Sequence, residues 1–217
     1  MRIPLISLML VIFLMAGHAA FNKYGSNRHH LPPLLKAASK GNLKAVKQIL
    51  DADPNAVKSS DSNGHKAIHW AILEGQTHIF LELIRRGHPI DDPDLLLYAC
   101  SRPYTGDILT HLLEHGINPN QQIGGGGTPL NMAVNNGFDE LVDILLSFNA
   151  CIDYKDSRGR NAIDIVDHQI DFLRAPDTIW RMEANPSETA VLRNQLRMEE
   201  RRNKLVAAKA KRDASHR

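Results

Sequence analysis

The chain is poor in the residues that carry chemistry. Two cysteines, Cys100 and Cys151, occur in 217 residues, with no CxxC pair. That excludes a dense disulfide framework and leaves both thiols as small, buried or half-buried side chains. Aromatic residues make up 6%, a composition that suits short helices built on Ala, Leu and Ile. His111 and His115 stand four apart, but no Glu follows His111, so the HExxH zinc pattern is missing. The Gly124–Gly127 run lacks the GK[ST] of a phosphate loop and reads as a mobile turn. No GxSxG elbow is present. Asp91-Asp92 lie in a turn with no apolar pocket to raise a carboxyl pKa. The sequence therefore offers no catalytic constellation, no metal ligand set and no call for a cofactor.

Also missing is an apolar run long enough to span a bilayer, which needs about 20 residues. What stands at the N-terminus is MRIPLISLMLVIFLMAGHAA. Arg2 precedes an apolar stretch, Ile3 to Ala16, and small residues follow it. This is the build of a secretory signal peptide over residues 1–20, cleaved after Ala19 or Ala20, with a retained, uncleaved anchor as the alternative. Residues 21–33, with Asn, Gly, Ser, His29-His30 and Pro32-Pro33, read as a flexible leader. Export follows as the expected location, with a bacterial periplasm as the favoured compartment.

From Leu34 to Arg174 one pattern recurs. A short helix centred on Ala ends at Gly, and a second apolar helix follows, as in Thr128-Pro129-Leu130 through Ala133 and Gly137 to Leu145-Leu146. Ala37, Ala71, Ala99 and Ala133 are separated by 34, 28 and 34 residues. Leu50, Ile84, Leu113 and Leu146 are separated by 34, 29 and 33. Two landmarks sharing one short step imply a truncated turn between the second and third copies. The third copy also carries the insertion Ser101-Arg102-Pro103-Tyr104-Thr105. The fifth copy keeps its first helix and runs on as a capping helix to Arg174. Trp70 is expected to be partly buried.

Residues 175–217 form a linker with Pro176 and Pro186, then a charged helix. Between Glu188 and Arg217 there are nine Lys/Arg against four Asp/Glu, so the body is acidic and the tail basic. The tail's apolar stripe is weak, and an exposed, partly frayed helix is expected. It has no interleaved aromatics, which argues against nucleic acid.

The repeated unit resembles the ankyrin repeat, with its period near 33, its turn plus two antiparallel helices and its T-P-L-H-x-A signature. Thr128-Pro129-Leu130-Asn131-Met132-Ala133 departs only at Asn131, and Lys66-Ala67-Ile68-His69-Trp70-Ala71 keeps the His and the Ala. The resemblance implies an all-α solenoid of four to five helix–turn–helix units over residues 34–174, closed by the C-terminal charged helix. It implies that His69 hydrogen-bonds between neighbouring turns, and that His115 before Gly116 is a structural polar residue. It implies a non-enzymatic module that binds another protein through turn tips and first-helix ends. The candidate contacts are Ser62, Asn63, His65, Leu73 and Glu74, then Arg102 and Tyr104, then Asn135, Asn136, Arg158 and Arg160. An inhibitor or immunity-type role toward an envelope or secreted partner is the favoured function. The alternative is an adaptor whose basic tail contacts an anionic membrane surface.

Overall fold

A computed structural model describes residues 31–92, 94–123, 126–174 and 188–215. The N-terminal apolar run, the rest of the leader before Leu31, Ile179-Trp180 and the candidate cap Ser187 lie outside the described residues. The chain divides into two compact units at Arg86 and Gly87.

In the first unit, α1 (Pro33–Ser39) and α2 (Leu43–Ala52) form one hairpin, followed by a 3-10 turn over Pro54–Lys58. A second hairpin joins α3 (Ala67–Leu73) to α4 (Thr77–Arg85). Pro33 opens α1, where its missing N–H would have had no helical partner anyway. Asn42 caps α2 by accepting the Ala45 N–H at 3.0 Å. First helix packs on first helix (α1 on α3) and second on second (α2 on α4). Between them lie Leu34, Leu35, Val46, Leu50, Ile68, Ile72, Ile79, Phe80 and Leu83, all buried. At the far end of α4, Glu82 accepts from Arg86 Nε at 2.9 Å, and Arg86 reaches Asp51 on α2 at 2.5 Å. Arg85 holds the same carboxylate; that hydrogen bond opposes burial and, with the bond from Arg86, lowers the Glu82 pKa to about 2.

In the second unit, α5 (Asp94–Cys100) pairs with α6 (Gly106–Glu114), and α7 (Pro129–Asn136) with α8 (Asp139–Ser147). Then come α9 (Ala162–Arg174) and the long α10 (Glu188–Ser215). α7 packs on α5 and α9, and α8 on α6. The starts of α2, α4, α6 and α8 step by 34, 29 and 33 residues, the series expected from the sequence. No extended strand occurs among the described residues, only the isolated bridges Ser60–Lys66 and Ile123–Gly127 at turn necks.

Two expectations change. Trp70 is buried rather than partly so, at 2% exposure. The basic tail is not a free helix. Its 28 residues would extend about 42 Å at 1.5 Å per residue. It packs along α9, with Leu205 and Arg201 buried.

Candidate interaction surface

The turn tips are built by one device used twice. At Asp61-Ser62-Asn63-Gly64-His65, the Asp61 carboxylate accepts the Asn63 N–H at 2.8 Å and the His65 N–H at 2.9 Å. At Asp156-Ser157-Arg158-Gly159-Arg160, Asp156 accepts the Arg158 and Arg160 N–H groups, both at 2.9 Å. Such Asx turns occupy the backbone donors that would otherwise face outward. The fourth residue must turn left-handed, and Gly64 and Gly159 do so at φ +84° and +75°. The second carboxylate oxygen then grips the fifth residue: His65 Nδ1 at 3.2 Å in one tip, the Arg160 guanidinium at 2.9 Å in the other.

This geometry sorts the candidate contacts. Ser62, Asn63, Arg158, Asn136 and Tyr104 are exposed. Glu74, Arg102, Asn135 and Arg160 are half-buried, with Arg160 committed to Asp156. His65 and Leu73 are buried, so neither offers its side chain to a partner. His65 lies at a turn tip in sequence but is drawn back onto Asp61. His69 accepts the Lys66 N–H on Nδ1 at 3.0 Å, a bond within its own turn, and meets His65 edge-on. A bond between neighbouring turns is made at Asn131, whose amide donates to the Tyr154 carbonyl at 3.2 Å. The departure from the signature thus retains the bridging task.

The insertion in the third copy is pinned rather than loose. Thr105 is fully buried, and its hydroxyl lies within hydrogen-bond reach of the Ala99 and Arg102 carbonyls. That anchor holds up Tyr104, which is 83% exposed. Thr105→Val keeps the shape and removes the donor. We expect a loss of about 1–2 kcal/mol in urea denaturation, with the Tyr104 loop becoming sensitive to limited proteolysis.

His111 and His115 face each other at the C-terminal end of α6. His111 and His115 stack at 4.0 Å, and His115 donates from Nδ1 to the His111 carbonyl at 2.8 Å. Burial, then the charge of His115, lowers the His111 pKa. Among the described residues, no group of three or more His, Cys, Asp or Glu could hold a metal ion. No described helix is long and apolar enough to cross a membrane.

A second set of residues went unnoticed in the sequence. Asp139, Asp143, Asp153 and Asp167 form an acidic strip that receives α10. Arg201 pairs with Asp139 at 2.6 Å and Lys204 with Asp143 at 2.6 Å. Arg202 pairs with Asp167, while Lys209 and Arg212 share Asp153. The hydrogen bond from Lys209, opposed by burial and reinforced by Arg212, holds the Asp153 carboxyl below its usual range. The signal that could have revealed the strip was the acidic body facing a basic tail. Periodicity alone does not say which carboxylate meets which cation.

The family model described as Ankyrin repeats (3 copies) matches residues 7–94 and 96–166. A putative ankyrin repeat protein, L92, of Acanthamoeba polyphaga mimivirus is 38% identical over 66 residues, 30% of this chain and 16% of that protein. A putative ankyrin repeat protein of Rickettsia bellii (strain RML369-C) is 34% identical over 103 residues, 46% of this chain and 40% of that protein. A putative palmitoyltransferase, ZDHHC13, of Danio rerio is 29% identical over 142 residues, 61% of this chain and 21% of that protein. The chain thus spans well under half the length of each of these relatives. With the repeat model matched over more than half of its length, and helix hairpins in the expected register, the chain belongs to the ankyrin-repeat family.

Proposed function

We propose that this chain is an exported, non-enzymatic module that binds and inhibits a single envelope or secreted protein, in the manner of an immunity protein. Ankyrin repeats generally mediate protein–protein interaction, which supports the coarser half of this reading. The observation that carries the finer half is the Tyr104 loop. A largely exposed aromatic side chain on a loop whose base is locked by a buried threonine is pre-organised for contact. Aromatic anchors of this kind dominate binding energy in protein interfaces, and rigidity lowers the entropy lost on association. Arg102, two residues before it, and the exposed Arg158 of the same unit supply polar contacts. The export half rests on the N-terminal apolar run.

The membrane-adaptor reading draws less support. Five of the tail's cations, Arg201, Arg202, Lys204, Lys209 and Arg212, are paired with carboxylates of the repeats.

The test is affinity capture from the envelope fraction with wild-type and Tyr104→Ala chains. We expect one protein to be retained by the wild type in mild salt. Its affinity for Tyr104→Ala should fall about tenfold or more with no change in melting temperature. Equal retention by both chains would remove Tyr104 from the interface. Recovery of the chain solely from the cytoplasm, with Met1 still at its start, would end the export reading.

A further inference from the structure

We propose that the acidic strip Asp139/Asp143/Asp153/Asp167 is a binding site for a basic amphipathic helix, and that α10 is its resident, displaceable occupant. The inference does not depend on what the turn tips bind.

The strip is built from the repeats, not from α10. Asp139 and Asp143 stand one turn apart on α8, the spacing that places two side chains on one face. Asp153 follows in the loop after α8, and Asp167 lies on α9. α10 answers with Arg201, Leu205, Lys209 and Arg212 at helical spacing, flanked by Arg202 and Lys204. The match is one of charge pattern. Only Leu205 and Arg201 are buried between Asn194 and Ser215, and Leu196 remains 58% exposed.

The described helices of the repeats each bury two or more apolar side chains. The ion pairs of Arg202, Lys204, Lys209 and Arg212 are part-exposed, their side chains 31–54% accessible, so salt reaches and screens them and each contributes little singly. Arg201 is the one deep contact. Its guanidinium packs over Gly137 at the C-terminus of α7, where carbonyls favour a cation. Between Asn194 and Ser215 the helix is held by part-exposed ion pairs, by Arg201 and by one buried apolar side chain, and an element so held separates at low free energy while the repeats beneath stay folded. A partner presenting a basic helix with the same spacing then meets a site already shaped for it, at the cost of displacing α10.

Hydrogen exchange on the full-length chain tests the first half. Raising NaCl from about 0.05 M to about 0.5 M shortens the screening length. Amides of residues 194–215 should then exchange about tenfold or more faster, with α7 and α8 unchanged. The double variant Lys209→Glu/Arg212→Glu should do the same at low salt. Adding Asp153→Lys to it should restore protection, a rescue that general destabilisation would not give. Salt-independent protection of α10, or its loss together with α8, overturns the proposal. The second half uses a synthetic peptide of residues 188–217 as the probe. It should bind the open double variant at least about tenfold more tightly than wild type, and Asp139→Asn/Asp143→Asn in that variant should abolish binding. Equal binding to wild type and open variant, or none to either, overturns the helix-site assignment.

Discussion

Phe80→Ala lowers the unfolding free energy by about 3–5 kcal/mol, the largest single-residue loss expected in the chain. Phe80 is fully buried on α4 and among the largest side chains in the interior. Removing it leaves a cavity that a close-packed interior fills only in part. Transfer and cavity terms therefore add. Because repeats are stabilised by their immediate neighbours, the loss should appear first in the amides of α3 and α4. Urea denaturation followed by hydrogen exchange reads both quantities. Phe80→Leu, which keeps most of the volume, should cost about 1.5 kcal/mol or less. If Phe80→Ala and Phe80→Leu cost the same, the site is not close-packed.

Asp61→Ala should cost about 2–3 kcal/mol. One carboxylate accepts the backbone N–H groups of Asn63 and His65, the His65 ring and the Trp70 indole N–H at 3.3 Å. Its loss removes the acceptor from all of these at once, two of them attached to buried side chains. Trp70 fluorescence should shift to the red as water enters. The effect carries a pH signature. Burial raises the Asp61 pKa, but the N–H bonds from His65 and Asn63 outweigh it and hold the carboxyl below 3.8. A lowered folded-state pKa means the stabilisation is complete above 3.8 and lost as pH falls through the lowered value. The stability gap between wild type and Asp61→Asn should therefore be constant near neutrality and close below about pH 4. A gap unchanged at pH 3 would show that the charge contributes nothing.

The repeat frame was legible in the sequence because it rests on local rules. Small residues recur where first helices touch, glycine recurs where the backbone turns left-handed, and Pro marks a helix start. The short step from Thr77 to Gly106 was readable for the same reason. Burial of Trp70 and His65 was not, because both depend on one carboxylate whose grip is set by turn geometry rather than by composition. The docking of α10 was illegible for another reason. Its ion pairs join residues 35 to 62 positions apart, and a run of cations reads the same whether solvated or paired. Which members of the candidate contact list face outward is decided by side-chain direction within a five-residue turn, which composition does not encode.

The paired Asp turns have a consequence for how this chain can change. The structural duty of each tip falls on the first, fourth and fifth residues: Asp61, Gly64 and His65, or Asp156, Gly159 and Arg160. Asn63 and Arg158 enter the turn's hydrogen bonding through their backbone N–H groups, which any residue but proline supplies. Those positions act as interchangeable slots in a fixed bracket. New side chains can be tried there without renegotiating the fold, so recognition can drift while architecture stands still.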